Sequence, residues 1–565
     1  MNREWKVRVE EFKRFCNSQK KAFHYSLKDP IKTQKLVLED ILSITAKTDF
    51  GKANNLSRVK DLSSLKKHVP IRTYEQFSPW INNEINKRGG VLSNKRLVRW
   101  LKTSGTTSCL SKKIPCTSHW LEAYRAAAYG MMWSSYLDKV PEILEHPYSV
   151  LDMQSIREPI REHLNGIPYQ AVTNRNPPCS EADWIPPWYY FPWMSDTIPE
   201  GYENRMYWRL RYFIGQDLRV ITAINPSTLV SLHAYLLKFL PQLIEDVRRG
   251  TLSGNKIFAP NLRLAAKLEQ FDEKQPLTKL WSNLSLITCW TSSSAALYMP
   301  LLNIIFPGVS ILPFISCGTE GIVTLPTDCE NQPGVLAVTQ GIYEFVPRGV
   351  DLMNCIHEKI PTETLSFDQL EIGIDYHLVM TQATGLYRLA VGDIYKVVDY
   401  IGNVPRLEFQ HRAGIYHSFT GEKISNLQML SSIQEAIASF KNCYGLFMCF
   451  PSWGKPPYYR VFVEVLANSK LKNNELAQSI DMKLCTYNSE YLKKRSSGRL
   501  GYIQVSFICS GTIDRYFQHK KKDSKNPTQY KYRPLQTDAN IMKDLMNISQ
   551  SIQTDRMIHH NSCKI

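Results

Sequence analysis

Residues 384–397 read Thr-Gly-Leu-Tyr-Arg-Leu-Ala-Val-Gly-Asp-Ile-Tyr-Lys-Val. An apolar run at 376–380 (Tyr-His-Leu-Val-Met) leads into a glycine-bearing turn, and a β-branched run resumes at 394–398. This is the grammar of strand, turn and strand. Gly392-Asp393 is expected at a second turn, with Tyr387 and Arg388 just upstream. A carboxylate fixed at a strand end accepts hydrogen bonds from two neighbouring hydroxyls, which is the chemistry of ribose recognition. The alternative is a hairpin whose Gly-Asp pair only makes the turn.

Upstream, helical spacing of Trp5, Val9, Phe12 and Cys16, and again of Leu36, Leu38, Ile41 and Leu42, predicts helices over residues 1–45. Residues 48–51 (Thr-Asp-Phe-Gly) read as a turn, and 69–75 as an extended lead into another helix. Residues 103–115 place a run of hydroxyls around Gly105 and close it with Lys112 and Lys113. Backbone N–H groups, hydroxyls and ammonium groups in such a loop can cradle phosphate; a polar hairpin loop has the same composition. Residues 177–199 are rich in proline and aromatics and read as an irregular excursion. They would line an acyl pocket or pack against the core. A strand is expected at 218–224, a helix at 226–239 and a strand at 309–316 that feeds Cys317-Gly318-Thr319-Glu320-Gly321. Alternation of this kind over about 400 residues argues for a layered α/β architecture.

Downstream, Ala413-Gly414 follows residues 406–412 and suits a hinge. A helix at 424–438, a strand at 458–466, a helix at 481–492 and a strand at 502–509 make a compact α+β unit. The expected organisation is a large N-terminal domain, 1–412, and a small C-terminal lid, 413–565.

The 565 residues exceed one small domain, and 43% hydrophobic with 21% charged residues is the balance of a soluble globular protein. Residues 280–319 carry no Asp, Glu, Lys or Arg, yet Pro300, Pro307, Gly308 and Pro313 break the run. A spanning helix needs about 20 continuous apolar residues, so this is a core segment. The 13 scattered cysteines, odd in number and without a Cys-x-x-Cys pair, point to reduced thiols and a cytoplasmic location. The charged N-terminus has no secretory apolar region. Net charge is +17, and from 413 onward 21 basic residues face 11 acidic ones. Without a nucleic-acid motif, that excess fits a solvated face or a mouth attracting an anionic nucleotide better than a nucleic-acid partner.

Taken in order, these stretches resemble the auxin-responsive family of acyl acid–amido synthetases, within the acyl-adenylate-forming, firefly luciferase-like superfamily. The family's opening pattern resembles residues 48–51 and 70–75, its phosphate loop 103–115, its adenine and metal motif 316–321, and its ribose motif 385–397. Its hinge arginine and following lysine resemble Arg412 and Lys423. A late Gln-Tyr-Lys motif resembles 529–533, where one residue rather than two separates Lys531 from Arg533.

The resemblance implies a two-step reaction. A carboxylic acid attacks the α-phosphate of ATP, and an amino acid's amine then attacks the acyl-adenylate. It further implies that Ser104, Gly105, Thr106 and Thr107 hold phosphates, Thr319 and Glu320 hold the nucleotide with Glu320 on Mg²⁺, and Asp393 holds the ribose. Arg412, Lys423 and Lys531 would offset charge on the α-phosphoryl group, in a monomer taking small-molecule acid and amine substrates. Each has a structural alternative: Glu320 as a turn cap, the cations as surface charges. Two positions depart from the pattern. Cys109 stands where the family has glycine or a small residue, and cysteine resists φ > 0. Ser316 stands where an aromatic packs on adenine. A binding or scaffold protein that kept the fold, and an acyl-CoA ligase, are the alternative functions.

Overall fold

The computed structural model describes residues 3–102, 112–175, 186–194, 199–328, 330, 332–412, 416–417, 422, 424–438, 444–466, 473–496, 498, 500–523, 532, 534–536 and 538–562. The chain divides into two compact units. One comprises Met1–Thr291 with Leu302–Gln410, the other Ser292–Leu301 with His411–Ile565.

The first unit opens with the helices Arg3–Ser26 and Pro30–Thr45. The first helix buries Trp5, Val9, Phe12 and Cys16, the stripe expected from their spacing. Phe12 meets Trp188 edge-on at 5.4 Å, and Trp188 lies 4.4 Å from Trp133. Of the described part of the proline- and aromatic-rich stretch, Trp188, Tyr189, Trp193 and Met194 are buried, whereas Tyr190 is exposed. Residues 48–51 are not a plain turn. They open the short helix Asp49–Ala53, because the Thr48 hydroxyl accepts from the Gly51 N–H at 3.1 Å and caps it.

Four parallel strands, ordered Ser310–Pro313, Leu286–Cys289, Val220–Thr222 and Val150–Asp152, form one sheet. The charge-free stretch at 280–319 supplies two of them, and no described helix is long and apolar enough to cross a membrane. A second sheet runs Lys113–Thr117, Leu97–Lys102, Ile167–Ala171, His163–Leu164. The third has seven strands, from Ser316–Gly318 at one edge through Leu389–Ile401 in fifth place to Ile342–Pro347 at the other edge.

That third sheet is rolled. Ser316 Oγ, on the first strand, lies 2.8 Å from the hydroxyl of Tyr395, on the fifth. The Tyr343 hydroxyl of the seventh strand donates to the Ile322 carbonyl of the second at 2.6 Å. In a flat sheet these pairs would stand roughly 19–24 Å apart, at about 4.8 Å per strand. Side chains span the gap because the sheet curls into a partly closed barrel.

The stretch at 384–397 departs from its reading. Leu389–Ile401 is one continuous strand, so Gly392-Asp393 is not a turn. Pairing with Asp375–Thr381 slips between Val379↔Ala390 and His377↔Ile394, and Gly392 sits inside the slip with φ +79°. This is a β-bulge, and glycine supplies the left-handed residue it needs. A Gly-Asp pair between β-branched runs looks alike for a bulge and a turn; only cross-strand pairing separates them.

Tyr387 and Arg388 serve the core. The Tyr387 hydroxyl is hydrogen-bonded to Thr45 Oγ1. Arg388 takes φ +47° and grips buried Glu344 with two parallel bonds of 2.8 and 2.7 Å, while its third nitrogen donates to the Val69 carbonyl at 2.7 Å. Arg72 adds a bridge to Leu389 and stacks on Phe50 at 5.4 Å. Two of the six motifs, the opening pattern and the ribose motif, thus meet beside one buried ion pair and hold the start of the long strand.

The second unit has a three-stranded sheet. Tyr444–Ser452 runs antiparallel to Tyr458–Val465, which is parallel to Gln504–Cys509. The helix expected at 481–492 is two, Asn473–Tyr487 and Ser489–Ser496. Asn488 makes the break: its Oδ1 accepts from the Tyr491 N–H at 2.8 Å while its amide donates to the Glu422 carbonyl at 2.9 Å. Ile433, Phe447, Val461 and Ile480 form the core between sheet and helices.

Within that core Glu464 is fully buried, accepting from the Ile513 N–H at 2.7 Å. Burial, and then the neighbouring charge of Asp514, push its carboxyl up to about 8 from an ordinary 4.5. The folded unit thus keeps a proton that the unfolded chain has released, and stability falls as pH rises from about 4.5 to about 8. Glu464→Gln is expected to raise the melting temperature of this unit at pH 8 and to change it little at pH 4.5. An equal change at both pH values would show that Glu464 is ionised throughout.

Candidate active site

The hairpin of Ser316–Gly318 and Gly321–Leu325 carries the acid predicted for the site. Its turn holds Thr319, half-buried, and Glu320, only 4% exposed. The Glu320 side chain folds back over Gly318, where an added Cβ would stand 2.7 Å from Oε2. Glycine at 318 is what lets the carboxylate lie there.

Lys112, the first described residue after the hydroxyl-rich loop, places Nζ 3.2 Å from Glu320 Oε1 and 5.0 Å from the centre of the Tyr74 ring. The Tyr74 hydroxyl accepts from the Lys113 N–H at 2.6 Å, and burial pushes its phenol up to about 12. The lysine that closes the loop and the acid of the hairpin turn therefore meet. Residues 103–111, with Ser104, Gly105, Thr106, Thr107 and Cys109, lie outside the described residues.

Ser316 and Cys317 are successive strand residues and point to opposite faces. Ser316 reaches Tyr395, as above. Tyr395 lies two residues beyond Asp393 on the same strand, just past the bulge. Asp393 itself is half-buried beside the bulge. Cys317 and Arg125 both act electrostatically on the phenol of Tyr129, which burial raises and Arg125 opposes. The Arg125 guanidinium lies 4.8 Å over that ring.

Arg125 ends a π-helical turn, Trp120–Arg125, that leads into the helix Ala126–Lys139. Such turns re-aim side chains and recur at functional sites. At the C-terminal end of Val150–Asp152, Asp152 accepts from the Tyr189 hydroxyl at 2.6 Å, and Arg175 lies 5.9 Å over the Tyr189 ring. The carboxyl ends of parallel strands are where open α/β sheets take ligands.

Of the sequence-derived candidates, Thr319, Glu320 and Asp393 are described, and Glu320 is joined to the loop through Lys112. Arg412 ends the strand Val404–Arg412, with only its backbone described; Lys423 and Lys531, and Ala413-Gly414, lie outside. Next to Lys531, Tyr532 is buried, its hydroxyl accepting from the Phe447 N–H at 3.2 Å. Sequence reasoning missed Tyr74, Arg125, Tyr129 and Tyr395. Arg125 leaves one signal, a cation inside an otherwise apolar run. Tyr395 leaves none short of the sheet's curl.

The GH3 family N-terminal domain model matches residues 19–311, the central domain 334–412 and the C-terminal domain 428–540. An indole-3-acetic acid-amido synthetase of Arabidopsis thaliana, GH3.6, is 23% identical over 547 residues, covering 88% of this chain and 87% of that protein. A 4-substituted benzoates-glutamate ligase of the same plant, GH3.12, is 21% identical over 90% and 94%. In fold, the solved acyl acid amido synthetase AtGH3.15 in complex with 2,4-DB superposes with a TM-score of 0.80 at 20% identity, covering 94% and 96% of the two chains. With all three domain models matched in order over most of its length, the chain belongs to the GH3 family.

Proposed function

We propose that this protein is an ATP-dependent acyl acid–amido synthetase. In the first step a carboxylate oxygen attacks the α-phosphorus of ATP, the bond to the β-phosphate oxygen breaks, and pyrophosphate leaves. In the second, an amino acid's amine attacks the acyl carbon, AMP leaves, and the amine proton is lost as the amide forms. The single observation that carries this reading is the Lys112–Glu320 pair, which joins the end of the hydroxyl-rich loop to the hairpin turn in a chain of this family.

The residues fit Mg²⁺ with a nucleotide. Glu320 is a buried carboxylate that already holds a cation. Among the described residues no group of three His, Cys, Asp or Glu could hold a metal, which matches an ion bound by one carboxylate and the phosphate oxygens. When bound, Mg²⁺ offsets the negative charge of the phosphates. Glu320 orients the phosphate end, Lys112 with Ser104, Gly105, Thr106 and Thr107 holds it, and Asp393 takes the ribose hydroxyls. Arg412, Lys423 and Lys531 are assigned to charge on the α-phosphoryl group. On the other face of the hairpin, Arg125 is assigned to the carboxylate of the acid. Residues 413–565 acting as a lid, a monomeric state and a cytosolic location, where free thiols persist, belong to the same proposal.

Incubation with ATP, Mg²⁺ and panels of carboxylic and amino acids, read by mass spectrometry, tests it. An amide with stoichiometric AMP is expected. A thioester formed only with coenzyme A would make the chain an acyl-CoA ligase, and no product from any pairing would leave a binding protein.

A further inference from the structure

We infer that Gln382 is a positioning residue for Glu320: its carboxamide is wedged behind the hairpin turn and holds the acid where it meets Lys112. What Glu320 then does for the nucleotide rests on the synthetase reading; where Gln382 stands does not.

Gln382 follows the strand Asp375–Thr381 and is 1% exposed. Its backbone is fixed by a turn, the N–H donating to the Leu386 carbonyl at 3.1 Å and the carbonyl accepting from the Gly385 N–H at 3.0 Å. The side chain then runs between two glycines. A Cβ on Gly321 would stand 2.6 Å from Gln382 Cδ, and one on Gly341 would stand 2.2 Å from Nε2. An exposed glutamine would swing aside from such a methyl; this one is enclosed, with a glycine on each side. Neither glycine takes a positive φ, so what each supplies is room for the carboxamide.

The two walls of this slot differ. Gly341 is anchored, its carbonyl accepting from Gln34 Nε2 at 2.7 Å while the same amide donates to the Val338 carbonyl at 2.6 Å. Gly321 opens its strand and directly follows Glu320. In a close-packed interior, a wedge against the fixed wall sets the place of the other. A second link runs through Tyr343. Burial raises its phenol and the Gln382 amide opposes that rise, while the Tyr343 hydroxyl donates to the Ile322 carbonyl. Gln382 thus bears on both residues that follow Glu320. The acid itself is 4% exposed, so its carboxylate moves with its backbone. A turn displaced at Gly321 carries that carboxylate away from Lys112 Nζ, 3.2 Å off.

Two measurements on Gln382→Ala in the full chain test this, one of them without any ligand. In the unliganded protein, labelling of Lys112 by an amine-reactive ester, read by mass spectrometry, is expected to quicken about threefold as the ion pair loosens. In equilibrium titration, Mg-ATP is expected to bind about 10-fold more weakly, the usual cost of removing a group that orients a metal's carboxylate. Glu320→Gln should have both effects, and adding Gln382→Ala to it should change neither further, because Gln382 acts through the acid. Should Gln382→Ala not fold, Tyr343→Phe keeps the ring, removes the second link, and should move both readings the same way by about twofold. A lower melting temperature with Lys112 labelling and Mg-ATP affinity unmoved would make Gln382 packing alone and overturn the inference. Losses that add in the Glu320→Gln background would overturn it as well. A wild type that binds no Mg-ATP would overturn the synthetase reading, while the labelling of Lys112 still decides whether Gln382 places the acid.

Discussion

Glu320→Gln is expected to lower kcat/KM for amide formation about 10²–10³-fold, the range for removing one preorganised electrostatic contact to a transition state. The substitution keeps the shape of the side chain and its place against Gly318, and takes away only the charge. Lys112 then faces an amide at 3.2 Å instead of a carboxylate. The Mg²⁺ needed for half-maximal rate should rise, because the protein oxygen offered to the metal is no longer anionic. Rates measured across a Mg²⁺ series, with a thermal melt of both proteins, give the result. A variant that turns over within threefold of wild type at every Mg²⁺ concentration would make Glu320 a structural acid of the turn. A variant that melts far lower would do so as well.

Arg388→Met is expected to cost about 3–5 kcal/mol of stability, because it leaves Glu344 buried without its cation. Both members are almost wholly enclosed, at 4% and 1% exposure, so water cannot take the place of the guanidinium. The left-handed backbone at Arg388 costs about 1 kcal/mol more than an extended one and persists because the bonds to Glu344 and the Val69 carbonyl fix it. Adding Glu344→Leu should recover most of the loss, since an apolar pair is often as stable as a buried ionic one. Denaturant unfolding of the single and double variants decides. If Arg388→Met alone unfolds at the wild-type midpoint, the pair holds nothing. If the double variant is no better than the single, the carbonyl contacts of Arg388 carry the stability instead.

Where helical or strand periodicity was strong, the sequence alone located the element. The stripe on Arg3–Ser26, the strands at Tyr458–Val465 and Gln504–Cys509, and the core placement of residues 280–319 all follow from local composition. What escaped was set by partners far along the chain. Gly392-Asp393 is a bulge because Asp375–Thr381 pairs beside it with a slip, and no local feature distinguishes bulge from turn. Tyr387-Arg388 read as part of a ribose motif, yet Glu344 and Thr45 draw both side chains into the core. A single helix at 481–492 ignored Asn488, a residue that caps as readily as it continues.

Of the site, Glu320 was legible only through the motif it shares with the family, since nothing in Cys-Gly-Thr-Glu itself marks the acid as buried or paired. Lys112 was legible as the cation closing a hydroxyl run. Tyr395 was hidden, since its contact with Ser316 exists only when four strand spacings are folded into a curl.

Activation of a carboxylic acid as its adenylate is read by exchange of labelled pyrophosphate into ATP. Exchange is expected to depend on both Mg²⁺ and a particular carboxylic acid, to need no amine, and to fall about 10²–10³-fold in Glu320→Gln. ATP bound by the wild type without exchange, for every acid in a broad panel of aromatic and aliphatic carboxylates, would rule out adenylate formation by this chain.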